Sequence, residues 1–86
     1  MGIGVVTLGR ERRLENDPAA KALVEIGDPA VPAVARALES SRKDVRWRAT
    51  LVLINMNSAV ARQILRKHLN NEPDANLRTV IQGDID

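Results

Sequence analysis

Apolar and polar positions along this chain repeat with a period of thirty residues. Shifted by that amount, Ala19, Ala22, Leu23, Val24 and Ile26 fall on Ala49, Val52, Leu53, Ile54 and Met56. Val34 falls on Ile64, Arg36 on Arg66, Asp44 on Asp74, Arg48 on Arg78 and Leu51 on Ile81. A period of this size marks stacked supersecondary units, each needing a neighbour to cover its apolar face. Within each unit the spacing is helical. Asp17-Pro18 sets an N-cap side chain before a proline at the first helical position, and Ala19, Ala22, Leu23 and Ile26 then share one face of a helix over 18–26. Gly27 ends that helix. Asp28-Pro29 repeats the start signal for a second helix, with Val31, Val34, Ala35 and Leu38 as its stripe and Arg36 opposite. Pro32 falls in its first turn, where a missing N–H does little harm.

Ser40–Lys43 is a polar turn, and Asp44 is placed to cap a third helix from Val45 to Met56. Val45, Ala49, Val52, Leu53 and Met56 make one apolar face of this helix, and Trp47, Leu51 and Ile54 make the opposite one. A helix apolar on both sides is covered on both sides, as in the middle of a stack. Ser58 is the expected cap of a fourth helix over about 59–69, striped by Ala61, Ile64, Leu65 and His68. Asn70–Pro73 is a turn, Asp74 caps a last short helix to about Gln82, and Gly83 ends it. Carried backwards, the period places Val5 on Ala35 and Leu8 on Leu38, so the first eight residues read as the remnant of a preceding helix or as an extended apolar arm packed on the first unit. The glycines at 2, 4 and 9 argue against a stable helix there.

The run Ala22 to Leu38, Ala-Leu-Val-Glu-Ile-Gly-Asp-Pro-Ala-Val-Pro-Ala-Val-Ala-Arg-Ala-Leu, with Asp44-Val45-Arg46 following, resembles the HEAT-like repeat, and within it the short-period variety of phycobilisome lyases. The resemblance covers about residues 17–83; the second unit departs from it, carrying Met56-Asn57-Ser58 where the family has Ile-Gly-Asp. It implies an all-α fold, a short α-solenoid of antiparallel helix pairs, with about five helices in one domain over 1–86. The units are residues 17–43 and 44–73, preceded by a weak or frayed N-terminal element over 1–16 and followed by a terminal half-repeat over 74–86. It also implies a role in protein–protein interaction or scaffolding. The alternative that it brings is an accessory subunit or relative of a phycobilin lyase; a further alternative, read from the recurring basic residues, is nucleic-acid contact along a basic edge. Some members bind a metal pair through His-Glu motifs; this chain has one His and no His-Glu dipeptide, which closes that branch.

Composition narrows the picture further. Eighty-six residues, 44% apolar and 28% charged, are ordinary globular material for one domain. A chain of this size buries only roughly 60–65% of its unfolded surface. The high pI of 9.7 reflects the absence of Tyr and Cys, since the net charge is only +2, too little to argue for nucleic acid. Without cysteine there are no disulfides, thiolate chemistry or Cys-based metal sites. The longest uncharged stretch, Ala49 to Ala61, is too short and too polar for a bilayer. The apolar start lacks the basic region of a signal sequence and misses the myristoylation pattern, with Val6 where Ser or Thr is wanted. A cytoplasmic protein with no cofactor is the expectation.

Candidate chemistry is sparse. His68 stands where the first unit has Leu38 and is read as a hydrogen-bonded side chain near a helix end, with no Asp, Glu or Cys at ligand spacing. Gly2-x-Gly4 lacks the strand and the further residues of a nucleotide loop. Thr50 and Ser58 have no base beside them, and no two acidic residues read as a paired set, so catalysis is not expected. Arg12-Arg13 and Arg42-Lys43 recur thirty residues apart, followed by Arg46 and Arg48. Stacking would align them along one edge, either as a solvated rim paired with nearby acids or as a contact for an acidic partner. Trp47, the sole aromatic residue, packs between units or, if exposed, is the strongest single contact for a partner. The partner contacts expected from sequence are therefore Arg12, Arg13, Arg42, Lys43, Arg46, Trp47 and Arg48. The incomplete ends predict self-association through an apolar patch, or a chain taken from a larger protein.

Overall fold

A computed structural model describes residues 17–85. The expectations for residues 1–16, Arg12 and Arg13 included, lie outside the described residues. Five α-helices follow one another: α1 (Pro18–Ile26), α2 (Val31–Ala37), α3 (Lys43–Met56), α4 (Ala59–Leu69) and α5 (Ala75–Ile85), with a 3-10 turn at Asp28–Ala30 leading into α2. The described residues contain no strand, and the architecture is the predicted short α-solenoid. Helix α3 lies at its centre and touches each of the other four helices, whereas α1 and α2 pack chiefly on α3 and little on each other.

Local chemistry accounts for most of the boundaries. The carboxylate of Asp17 accepts the Ala20 N–H at 3.1 Å, the Ser58 hydroxyl accepts that of Ala61 at 3.0 Å, and Asp74 accepts that of Leu77 at 2.8 Å. Each satisfies an otherwise orphaned donor of a first turn. Helix α4 ends with Arg66, Lys67 and His68, cations that suit the negative end of the helix dipole. Between the paired helices the chain reverses through Gly27 at φ 79° and ψ −145°, and through Asn57 at φ 52° and ψ 40°. Both are conformations that ordinary side chains resist, which is why glycine and asparagine occupy them.

Four expectations are corrected. Asp44 does not cap α3: the helix starts two residues earlier than expected, at Lys43, with Arg42 at the N-cap position, and the Asp44 carboxylate is held by the Arg42 guanidinium at 2.9 and 3.2 Å. Asp28-Pro29 opens the 3-10 turn rather than the α-helix, and no side chain caps it. Gly83 lies inside α5, which continues to Ile85. In α1 the buried residue is Ala20, with Leu23 and Val24 partly buried, while Ala19, Ala22 and Ile26 are exposed. Apolar residues occupy so many positions of α1 that its pattern selects no single face, and packing on α3 decides.

The core centres on α3. Ala49 through Ile54 are buried without interruption, six successive residues that span the whole circumference of the helix. Leu53, Leu65, Leu77, Ile81 and Thr50 are the largest fully buried side chains, so the deepest packing joins α3 to α4 and α5. Thr50 is tolerated there because its hydroxyl donates to the Arg46 carbonyl at 2.9 Å. Trp47 is partly buried against this cluster, as expected of a residue packing between units. Truncating Leu53→Ala is expected to cost about 2–5 kcal/mol in urea unfolding. Gly27→Ala is expected to cost about 1–3 kcal/mol although a Cβ there meets nothing within 4 Å, because the penalty is conformational. Asn57→Gly is expected to stay within about 0.5 kcal/mol of the parent.

Candidate functional site

Among the described residues, a dense polar arrangement gathers on Glu72, in the turn between α4 and α5. Its side chain has no exposed surface. Arg46, on α3, donates from Nε to both carboxylate oxygens at 3.1 and 3.2 Å. His68 Nε2, one turn earlier on α4, lies 2.7 Å from Oε1, and the Asp74 backbone N–H donates to Oε2 at 2.9 Å. The Glu72 carbonyl accepts from Arg78 Nη1 at 2.8 Å. Arg46 Nη1 reaches the Ser40 carbonyl at 3.0 Å. A single acidic residue thus ties the turn after α2 to α3, α4 and α5.

Burial pushes the Glu72 carboxyl upward, but the hydrogen bonds from Asp74, His68 and Arg46 outweigh it and hold the group below the usual carboxylate range. Asp74 is lowered chiefly by the Leu77 N–H it accepts, and Asp17 chiefly by the Arg48 guanidinium bonded to it.

Above this network lies an open groove of about 680 Å³ spanning both helix pairs. Ala35, Leu38 and Ile64 give it an apolar floor; Glu39, Ser40, Ser41, Lys67, His68 and Asn71 give it a polar rim, and Arg46 reaches it from α3. The network holds its walls, since Arg46 grips Ser40 on one side and Glu72 grips His68 on the other. Such a surface, apolar below and polar at the edge, suits a partner's side chains.

The residues expected to contact a partner do not form one edge. Arg46 is buried with Glu72, while Arg48, two positions on and so on nearly the opposite side of α3, is exposed and donates to Asp17 at 2.8 and 2.9 Å. Arg42 is exposed and engaged with Asp44, and Lys43 lies 3.5 Å from Asp74. Trp47 is partly buried and away from the groove lining. Arg42, Lys43 and Arg48 each have an acidic partner, which balances the charge locally. His68 does have a carboxylate at helical spacing, contrary to the sequence expectation: it is Glu72, four residues on. Among the described residues no group of three or more His, Cys, Asp or Glu side chains is disposed to hold a metal ion, and no helix is long and apolar enough to cross a membrane.

The importance of Glu72 escaped the sequence because it sits in a polar Asn-Asn-Glu-Pro turn and aligns with Arg42 in the preceding unit. The one signal available was the four-residue spacing to His68. The family model described as HEAT repeats matches residues 16–83. No curated protein and no solved structure matches the chain.

Removing one partner strands the other charge, so Glu72→Ala is expected to cost about 3–5 kcal/mol by urea unfolding at pH 7. Arg46→Met/Glu72→Leu, which leaves no stranded charge, is expected to be less destabilised. The three lowered carboxyls also set a pH dependence. Their folded pKa values lie below the unfolded ones, so between the two the unfolded chain binds more protons. Their contribution is complete above about pH 4.5 and is lost as pH falls through the folded values. Urea midpoints that do not fall below pH 4.5 would contradict this.

Proposed function

The chain belongs to the HEAT-repeat family, and we propose that it works as a non-catalytic protein-interaction or scaffold module whose partner docks across the groove between its two helix pairs. HEAT repeats commonly serve as interaction scaffolds. The observation that carries the reading is the groove itself: about 680 Å³ of open space, walled by both helix pairs, with Ala35 and Ile64 partly exposed over the buried Leu38 and polar groups at the rim. The buried Arg46–Glu72 pair below it presets the walls, so a partner would lose little freedom of the receptor on binding. The polar side chains of types used in catalysis have structural duties here. Ser58 caps a helix, Thr50 bonds its own backbone, and His68 is tied to Glu72.

The narrower resemblance, to lyases that attach bilins, rests on Ala22–Leu38 and the following Asp44-Val45-Arg46; a visible absorbance change on mixing the protein with bilin would favour it.

The groove reading predicts that a partner captured from the native cell is lost, by tenfold or more, from Ile64→Glu and from Lys67→Glu. Val60→Glu, at an exposed apolar position outside the groove, should retain it. All three variants should keep the parent's circular dichroism. Capture that survives both groove substitutions in folded protein would remove the groove from the account.

A further inference from the structure

The docking groove lies between two helices of one charge sign. Neither α2 nor α4 contains an acidic residue. Helix α2 carries Arg36 and α4 carries Arg62, Arg66 and Lys67; Arg62 is partly exposed and the other three are exposed. Glu39, in the turn after α2, is the one carboxylate among the groove's lining residues. These cations differ from those elsewhere because no acid neutralises them. Arg42, Lys43, Arg46 and Arg48 each meet a carboxylate. Among the described residues, no carboxylate pairs with Arg36, Arg66 or Lys67, and the Arg62 guanidinium donates to the neutral Asn57 side chain at 2.7 Å.

Position matters as much as sign. Lys67 lines the groove together with Ile64, on the α4 wall. Arg36 follows the floor residue Ala35, and Arg66 precedes Lys67, each about 100° away round its helix. Each wall therefore sets a free cation beside its share of the apolar floor. We propose that the partner is an acidic protein segment, which seats an apolar side chain between Ala35 and Ile64 and turns carboxylates to Arg36 on one wall and to Lys67 and Arg66 on the other. This rests on the groove reading and adds the chemistry of the occupant. The apolar strip supplies the anchor, while the flanking charges steer encounter and reject partners of the wrong sign.

A nucleic acid would use the same cations but suits the rest of the groove poorly. The apolar strip offers nothing to phosphates, and Glu39 repels them. The chain's sole aromatic residue, Trp47, is absent from the groove lining, so a base finds no aromatic platform there. Arg36, Arg66 and Lys67 also fall in the last turns of their helices, where cations suit the dipole. That role explains their sign but not the apolar strip that they flank.

Random peptides displayed on phage and selected against the full chain provide the test. The selected peptides are expected to be enriched, relative to the unselected library, in Asp and Glu around an apolar residue. Titrated by fluorescence anisotropy, they should lose at least fivefold in affinity to Arg36→Glu and to Lys67→Glu. Lys21→Glu, the same charge change at an exposed position of α1, should leave affinity within twofold, because salt screens distant surface charges. Peptides whose acidic residues are replaced by Lys should prefer Arg36→Glu/Lys67→Glu to the parent. All variants should keep the parent's circular dichroism. Peptides without acidic enrichment that are nonetheless lost on Ile64→Glu would overturn this proposal and leave the groove reading standing. Acidic peptides indifferent to Ile64→Glu, or a selection that yields no binder, would remove both. A labelled oligothymidylate that binds more tightly than the selected peptides, and is lost with the same cations, would assign them to phosphate and also overturn the proposal.

Discussion

The structure depends on covering one helix from all sides. From Ala49 to Ile54 every residue of α3 is buried, and no single neighbouring helix can bury a full circumference. Helices α1 and α2 must cover one flank, and α4 and α5 the other. This requirement explains why the units stack and why a lone helix pair of this sequence would not suffice. It also explains the polar exception inside the core: Thr50 survives because its hydroxyl is spent on the Arg46 carbonyl one turn back.

Apolar packing sets the stack but leaves orientation loose, since small residues on α1 and α2 accommodate many angles. Glu72 supplies direction. Its carboxylate and carbonyl together receive groups from α3, α4, the start of α5 and its second turn, while Arg46 extends the connection to the end of α2. Removing a carboxylate and a guanidinium from water is expensive, and such pairs rarely add net stability over an apolar replacement. What the pair contributes here is a defined placement of Ser40 relative to His68, and these residues stand on facing walls of the groove. Fold and proposed function meet at that pair.

How much of this was legible in the sequence varies by residue type. Helix starts at Asp17, Ser58 and Asp74 could be read because capping is local chemistry, settled within three residues. The same logic failed at Asp44, where Arg42 two residues away competes for the carboxylate. The covered faces of α3 were legible from Leu51, Leu53 and Ile54, since apolar residues on opposite sides of one helix leave few alternatives. The face of α1 was not, because alanines surround it. The basic edge looked coherent in one dimension, but Arg46 and Arg48 are separated by about 200° around α3, and one turned inward to a glutamate twenty-six positions along the chain. A contact of that separation has no local signature. Glu72 therefore left little trace in the sequence, although its hydrogen bonds join α3, α4 and α5.

The central claim is that α3 is the shared core of a stack and not one surface helix among five. Residue-resolved hydrogen exchange on the native protein tests it most directly. If the claim holds, the amides of Leu51 to Ile54 exchange slowest in the molecule and only through global unfolding, while those of α1 and α5 open at lower cost. Amides in α3 that exchange as fast as those of α1 would contradict it.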